Sequence, residues 1–343
     1  MRSDGSVSRP RSKNASTRSI TTKAVDSTRS LKNEVRRPSF TVATFILSIA
    51  SALLSAPVTF GAQQSHMARA RIAILDFNRD PTGKQLADEL HAALSVDPEL
   101  ALITRDLARA AAVGLGYQGS LNMTRAEARD LGTAIGCDLF ITGDAQVVRR
   151  SPSSGAIYFE SYASIFIVDA RSGALVQWDR PSLQATHAAD ALAVLKTELR
   201  RRAPLYATTL RRAFAAQLQR TLAWQPTEKG EEESMYLDLT RDQGLDENII
   251  PPQPYRRLQP AYTEEAARAE AEATVDVLAW IDEDGVVRRV EVVRWAGFGL
   301  DESVTQTVKR MFFRPAMRNQ RPTPALVLLR YNFRRSARSQ RQR

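Results

Sequence analysis

Apolar and polar positions fall into three regimes along this chain, and each regime predicts a different kind of element. From Pro38 to Ser65 no residue is charged, and the stretch Phe40 to Phe60 is apolar or small throughout. As a helix those 21 residues would be roughly 30 Å long, enough to cross a bilayer core. The second regime, residues 68–224, alternates short apolar runs with helical spacing. Arg71-Ile-Ala-Ile-Leu-Asp-Phe77, closed by Asn78 and Asp80-Pro81, predicts a buried strand. Leu86, Leu90, Ala93 and Leu94 then recur at helical spacing behind Thr82, which is expected to cap them. A strand is predicted over 100–104, helices over 105–113 and 125–135, and strands over 138–143, 156–168 and 174–178. Thr124 with Glu127 three residues on predicts a capping box for the second of those helices. A long amphipathic helix or pair of helices covers 186–221, interrupted at Pro204.

The third regime begins after residues 225–257. There the charge run Pro226 to Glu233 and the cluster Pro251-Pro-Gln-Pro254 predict a spacer without packed elements. A short helix capped at Thr263 follows. Ala273 to Ile281 alternates with period two, placing Val275, Val277, Ala279 and Ile281 on one face and Asp276 and Trp280 on the other. Asp282-Glu-Asp-Gly285 turns the chain into a return strand, Val286 to Arg294. Leu300 to Phe312 reads as a helix with Leu300, Val304, Val308 and Met311 or Phe312 as its core stripe, stopped by Arg314-Pro315. Ala325 to Phe333 is a final strand.

The net charge of +10 points to nucleic acid only until it is divided along the chain. Residues 1–37 carry +7 and residues 334–343 carry +5, which leaves −2 for everything between. A nucleic-acid groove belongs to a folded face rather than to tails alone, so no nucleic-acid partner is expected. Residues 1–37, basic and poor in apolar side chains, are expected to be a disordered cytoplasmic segment, and 336–343 a basic tail. Arg36-Arg37 ahead of the apolar run orients the rest of the chain outward, into a periplasm if the cell has two membranes. Residues 38–62 read first as a transmembrane anchor and, as the alternative, as a cleaved signal peptide, with Pro57 breaking the apolar core and small residues at Gly61-Ala62.

Candidate chemistry is sparse. Three scattered histidines and a single cysteine, Cys137, give little material for a zinc site, a disulfide or a histidine-based catalytic pair, and neither metal nor cofactor is expected. Gly114-Leu-Gly-Tyr-Gln-Gly119 matches a dinucleotide fingerprint, but it leaves a helix where the fingerprint must leave a strand, so helix-terminating glycines are the reading. Cys137 between Gly136 and Asp138 reads as a packed thiol. Asp76 and Asp138 are the pair of carboxylates a hydrolase would need, and turn and cap chemistry accounts for each singly. No catalytic residue is expected, and the chain reads as a binding protein.

Two resemblances sharpen this. "RIAILDF", "LITRD", "LGTAIGCDLFITGDA" and "FIVDARSGALV" resemble the periplasmic α/β module of the CsgG, TolB N-terminal and LpoB-like proteins, which implies an interaction module over 68–224. Gln259-Pro-x-Tyr262, the Glu-Glu-Ala-Ala-Arg helix, "IDEDGVVRRVEVVR", "GLDES", "FFRPA" and the close at Asn332-Phe333 follow one another as in the TonB C-terminal domain family. That resemblance implies a small domain over 258–335 and an α+β fold overall: an α/β module with a mixed sheet, then an antiparallel sheet with two helices. It also implies strand addition of a peptide from an outer-membrane TonB-dependent receptor or other envelope protein, with Gln259, Pro260 and Tyr262 beside that partner. An ExbB/ExbD-like motor is the further partner it implies, with an inner-membrane anchor over 40–60 and transduction of energy for transport. Thr263 stands where the family has proline, and the apolar segment lacks the histidine of a TonB anchor. The alternative is a non-energising assembly or scaffold protein that uses both modules for binding alone.

Overall fold

The structure, a computed structural model, describes residues 69–223, 235–240 and 248–334. The expected basic segment, apolar segment and basic tail lie outside them, as do residues 225–234 and 241–247 of the expected spacer. No helix among the described residues is long and apolar enough to cross a membrane.

The first sheet runs β2 (Leu100–Leu102), β1 (Ala70–Phe77), β3 (Leu139–Arg150), β4 (Tyr158–Asp169), β5 (Leu175–Asp179), with β6 (Ser182–Ala185) also on β4. β1 is parallel to β2 and β3, and the remaining pairs are antiparallel, so the sheet is mixed. Alternation along β4 sends Ala163, Ile165 and Ile167 to one face and Phe166 and Val168 to the other. The first face is covered by α1 (Pro81–Leu94) and α4 (Ala188–Leu222), whose Leu86, Leu90, Leu195, Leu199 and Leu210 are fully buried. The second face lies under α2 (Arg105–Gly114) and α3 (Arg125–Ile135), but only towards β1 and β3.

Three local expectations change. α1 starts with Pro81 at its first turn behind Asp80 rather than at Thr82, because proline's fixed φ and missing N–H suit the first helical position. α4 runs through Pro204 as one helix; the proline is on the exposed side, where the carbonyl it leaves unbonded can meet water. The capping box of α3 forms with both bonds in place.

The C-terminal module is built on β10 (Ala273–Ile281), paired antiparallel with β11 (Val287–Arg294) and with β15 (Ala325–Phe333). α5 (Glu264–Ala269) and α6 (Leu300–Lys309) lie against it; Leu300, Val304, Val308 and Met311 are buried, while Phe312 is 61% exposed. α6 stops before Phe312 because the Phe313 N–H bonds the Gly285 carbonyl and the chain turns into β12 (Phe313–Arg314). The stretch expected as a spacer contributes β7 (Leu237–Asp238) on β15, β8 (Ile249–Ile250) on β13 (Ala316–Arg318), and β9 (Gln253–Pro254) on β12. β14 (Arg321–Thr323) completes the β13 hairpin. Apolar Leu237, Ile249 and Ile250 each sit in one of these pairings, and Leu239 packs against the core.

Candidate partner-binding edge and its support

The two modules share one hydrophobic cluster. Phe166 of the first sheet is closed over by Trp295 (ring centroids 5.8 Å apart) and by Phe298 (5.6 Å), and Trp178 meets Phe298 at 5.5 Å. Trp295 is 1% exposed, and its indole N–H donates to the Gly173 carbonyl at 3.1 Å. The C-terminal module thus covers the part of the first sheet that α2 and α3 leave open.

Polar groups fix the register of the seam. The Asn122 amide donates to the carbonyls of Thr274 (2.7 Å) and Trp295 (2.6 Å) and accepts from the Thr274 N–H (3.0 Å). Arg125 pairs with Glu291, and Arg294 donates to the Asn122 carbonyl at 2.9 Å. Gly297 and Gly299 adopt φ of +73° and +72°, and a Cβ on Gly297 would meet the Phe166 ring at 2.5 Å, so the loop 295–299 needs glycine to press onto β4. Beside the seam, β5, β11 and α6 enclose a groove of about 700 Å³ whose lining includes Trp178, Val290, Val292 and Lys309.

Asp301, in the first turn of α6, is buried and accepts from the N–H groups of Ala296 and Gly297, each at 2.8 Å. Burial pushes its carboxyl up to about 6, against those two bonds, which favour the charged form. The folded state therefore holds this proton more tightly than the unfolded chain, where the ordinary value is about 3.9. The stability it contributes is present below about pH 4 and is lost as pH rises to about 6, amounting to about 3 kcal/mol. Asp301→Asn should remove that component: denaturant unfolding across this range should show the wild type losing stability relative to the variant as pH rises. Parallel profiles would contradict it.

β15 presents the candidate edge. One side pairs with β10 along its whole length. On the other, β7 covers only the beginning, with the Leu237 N–H on the Pro324 carbonyl (2.8 Å) and the Leu239 N–H on the Leu326 carbonyl (2.9 Å). Backbone groups of alternate residues point the same way, so Leu328, Arg330 and Asn332 follow Leu326 in turning N–H and C=O outward. Among the described residues no strand pairs with them. Their side chains are exposed, and two are anchored: Arg330 grips Asp276 through Nε (2.7 Å) and a terminal nitrogen (3.0 Å), and the Asn332 side-chain oxygen accepts from the Thr274 hydroxyl (2.8 Å). A rigid, open edge of this kind can accept an extended peptide.

Of the residues expected beside the partner, Tyr262 comes next to this edge by stacking on Phe333, the last residue of β15, at 6.2 Å. Its hydroxyl is committed internally, its one proton lying between the carbonyls of Ala271 (2.8 Å) and Ala266 (3.1 Å), so it pins the lead-in segment. Gln259 is exposed and Pro260 half-buried. Thr263, in place of the family's proline, caps α5 by accepting from the Ala266 N–H at 3.1 Å.

Asp76 and Asp138 are not brought together. Arg105 and Arg109 hold Asp76, while Asp138 takes the Arg71 N–H (3.0 Å) and the Arg171 side chain (3.0 Å). With Asp138 beside Arg71, five residues of β1 separate the two carboxylates by roughly 16 Å. Burial pushes the Cys137 thiol up to about 12, and its sulfur lies 3.7 Å from the Gly132 carbonyl. Gly114 ends α2, and Gly116 and Gly119 take positive φ in the loop that follows. Sequence reasoning passed over Asn122, Trp295 and Phe298. The signal for the last two was present in Trp295-Ala-Gly-Phe-Gly299, two large aromatics beside two glycines in a connection whose sheet and helix already had their own core stripes.

Residues 258–334 match the family model described as Gram-negative bacterial TonB protein C-terminal, over the stretch whose motifs carried that resemblance. No curated protein matches the chain. Among solved structures, the Pseudomonas aeruginosa TonB C-terminal domain is 21% identical, covering 29% of this chain and 94% of that one with a TM-score of 0.23. The LpoB C-terminal domain of Salmonella enterica is 15% identical, covering 36% and 89% with a TM-score of 0.25. A hypothetical protein of Chlamydia trachomatis is 9% identical, covering 42% and 98% with a TM-score of 0.31.

Proposed function

We propose that this chain is a periplasmic protein-binding protein that takes an extended segment of an outer-membrane partner onto the free edge of β15, and that it catalyses nothing. The observation that carries the reading is the row of outward backbone groups at Leu328, Arg330 and Asn332 in a module matching the TonB C-terminal family. Strand addition draws affinity from those backbone bonds, and the alternating exposed side chains supply selectivity. In this reading residues 40–60 hold the chain at the inner membrane, and the full role is transduction of energy to an outer-membrane receptor through an ExbB/ExbD-like motor.

A second reading is favoured by the seam. A domain whose Trp295 and Phe298 are built into the core of its neighbour is a fixed fixture, which suits an assembly scaffold as well as a force transmitter.

Leu328→Pro tests the edge. The Leu328 N–H points away from β10, so proline there removes no bond of the sheet and should change stability by less than about 1 kcal/mol. It should nonetheless reduce partner capture by about tenfold or more, since it deletes a backbone donor and obstructs the incoming strand. Photo-crosslinking from Asn332 in cells provides the readout, with an outer-membrane protein as the expected adduct. An adduct that persists unchanged in the proline variant rules out strand addition at β15. If deletion of the chain leaves siderophore and vitamin uptake intact while the crosslink stands, the scaffold reading replaces the energising one.

A further inference from the structure

On the outer side of α2, large and small side chains follow a pattern that nothing inside the molecule uses. Leu107, Ala110, Ala111 and Gly114 stand at positions i, i+3, i+4 and i+7, which share one helix face. That face is open. Leu107 is 57% exposed, Ala110 and Gly114 are exposed and Ala111 is half-buried, whereas Ala108 and Ala112 on the other side of the helix lie in the core. Val113 and Leu115, 67% and 49% exposed, flank the stripe. The three charges of α2 are committed elsewhere, Arg105 to Asp76 and Asp88, and Arg109 to Asp76 and Asp106. No residue from Ala110 to Thr124 is charged. A cover for this face is therefore selected by shape and apolar contact rather than by charge.

Gly114 says what that shape is. Its φ is not positive, and a Cβ placed on it would meet nothing within 4 Å. Neither its backbone nor its surroundings require glycine, and alanine would serve the helix at least as well. Glycine leaves a gap at one end of the stripe, while Leu107 stands out at the other. The stripe is symmetric about the midpoint between Ala110 and Ala111. A copy of it running in the reverse direction therefore lays Leu107 over Gly114 at both ends, with alanine against alanine between. A parallel copy would set Leu107 against Leu107 and leave the gap empty. The stripe is thus its own complement only when reversed.

We propose that α2 is the contact between two copies of this chain, packed antiparallel about a two-fold axis that passes between Ala110 and Ala111. One self-complementary patch used twice is what a two-fold pair requires. The alanines and Gly114 let the helix axes approach to about 8 Å, the short end of the packing range, with Val113 and Leu115 at the rim. A single helix pair is small beside a standard interface, so the pair forms a reversible equilibrium rather than a permanent dimer. The contact uses no residue of β15, so self-association and partner binding fail independently.

The test is disulfide trapping in cells producing the full chain. Leu107→Cys and Gly114→Cys are expressed separately and together, then mildly oxidised. Cys137, half-buried with its thiol pushed up to about 12, reacts poorly, and the unaltered chain gives its background. Co-expression should yield an adduct of twice the chain mass at about tenfold the level of either variant alone, because only the reversed pairing brings positions 107 and 114 within disulfide reach. A second arm traps through Ala110→Cys, beside the axis. Adding Gly114→Leu, for which the fold has open space, should leave the circular dichroism unchanged and cut that trapping by about tenfold, since two leucines then collide at each end. Adding Leu107→Ala to Gly114→Leu moves the large residue to the other end of the stripe and should restore it. Trapping that is strongest within either single variant, or that survives Gly114→Leu, would overturn the proposal. So would an adduct of any other mass, which would give the face to a different protein.

Discussion

Replacing Trp295 with alanine is expected to lower the unfolding free energy by about 3–5 kcal/mol, the range for emptying a large buried aromatic site. The loss arises on both sides of the seam. Phe166 loses the ring stacked on it, Phe298 loses support for its edge-on contact, and the Gly173 carbonyl loses its indole donor. Because Trp295 belongs to the cluster that also contains Phe140, Val168 and Leu131 of the first module, the damage should not stay in the C-terminal module. In the wild type the two modules should unfold in one transition monitored by tryptophan fluorescence and by circular dichroism. In Trp295→Ala the curve should shift and split in two. A variant that keeps one unshifted transition would show that Trp295 does not hold the two modules together.

The second large effect is expected at Arg105. Its side chain is 9% exposed and reaches Asp76, Asp88 (2.9 Å) and the carbonyls of Ile74 (2.9 Å) and Leu75 (3.0 Å). Burial works to raise the Asp76 carboxyl, but the bond from Arg109 and the charges of Arg105, Arg109 and Lys84 outweigh it and hold the group below its usual range. Arg105→Ala leaves two carbonyls without their donor and removes one of Asp76's partners, at a cost of about 2–3 kcal/mol. The Asp76 carboxyl should rise, so the loss should be larger near neutral pH than in acid. Lysine at 105 should restore only part, since a point charge cannot span carboxylates and carbonyls as the planar fork does. Denaturant midpoints of the three proteins would check the order, and full recovery by lysine would reduce the role of Arg105 to its charge alone.

Asp76 also shows how far the sequence could be read. A carboxylate at the end of an apolar strand is compatible with catalysis, and nothing within β1 reveals that α2 brings Arg105 and Arg109 onto it from about thirty residues away. Local signals fared better. The capping box at Thr124, the Asp284-Gly285 turn and the period-two run over 273–281 each rest on neighbours in sequence, and each element stands where its pattern placed it. β15 was legible as a strand, but its open side was not, because strand order is a long-range property. The spacer misled for the opposite reason: its composition is polar, and two or three apolar residues are enough to tack it down when a partner strand is already formed. Asn122 carried no local signal at all, since its three bonds are to Thr274 and Trp295, more than a hundred and fifty positions on.

The seam also decides the path of tension. A pull exerted by a partner on β15 enters β10 through nine paired positions, crosses to β11, and reaches the first module at Trp295, Asn122 and Arg125. Under rising force the molecule should therefore give way first where Phe166 meets Trp295, so that the seam acts as a mechanical fuse ahead of the sheet that carries the β15 edge.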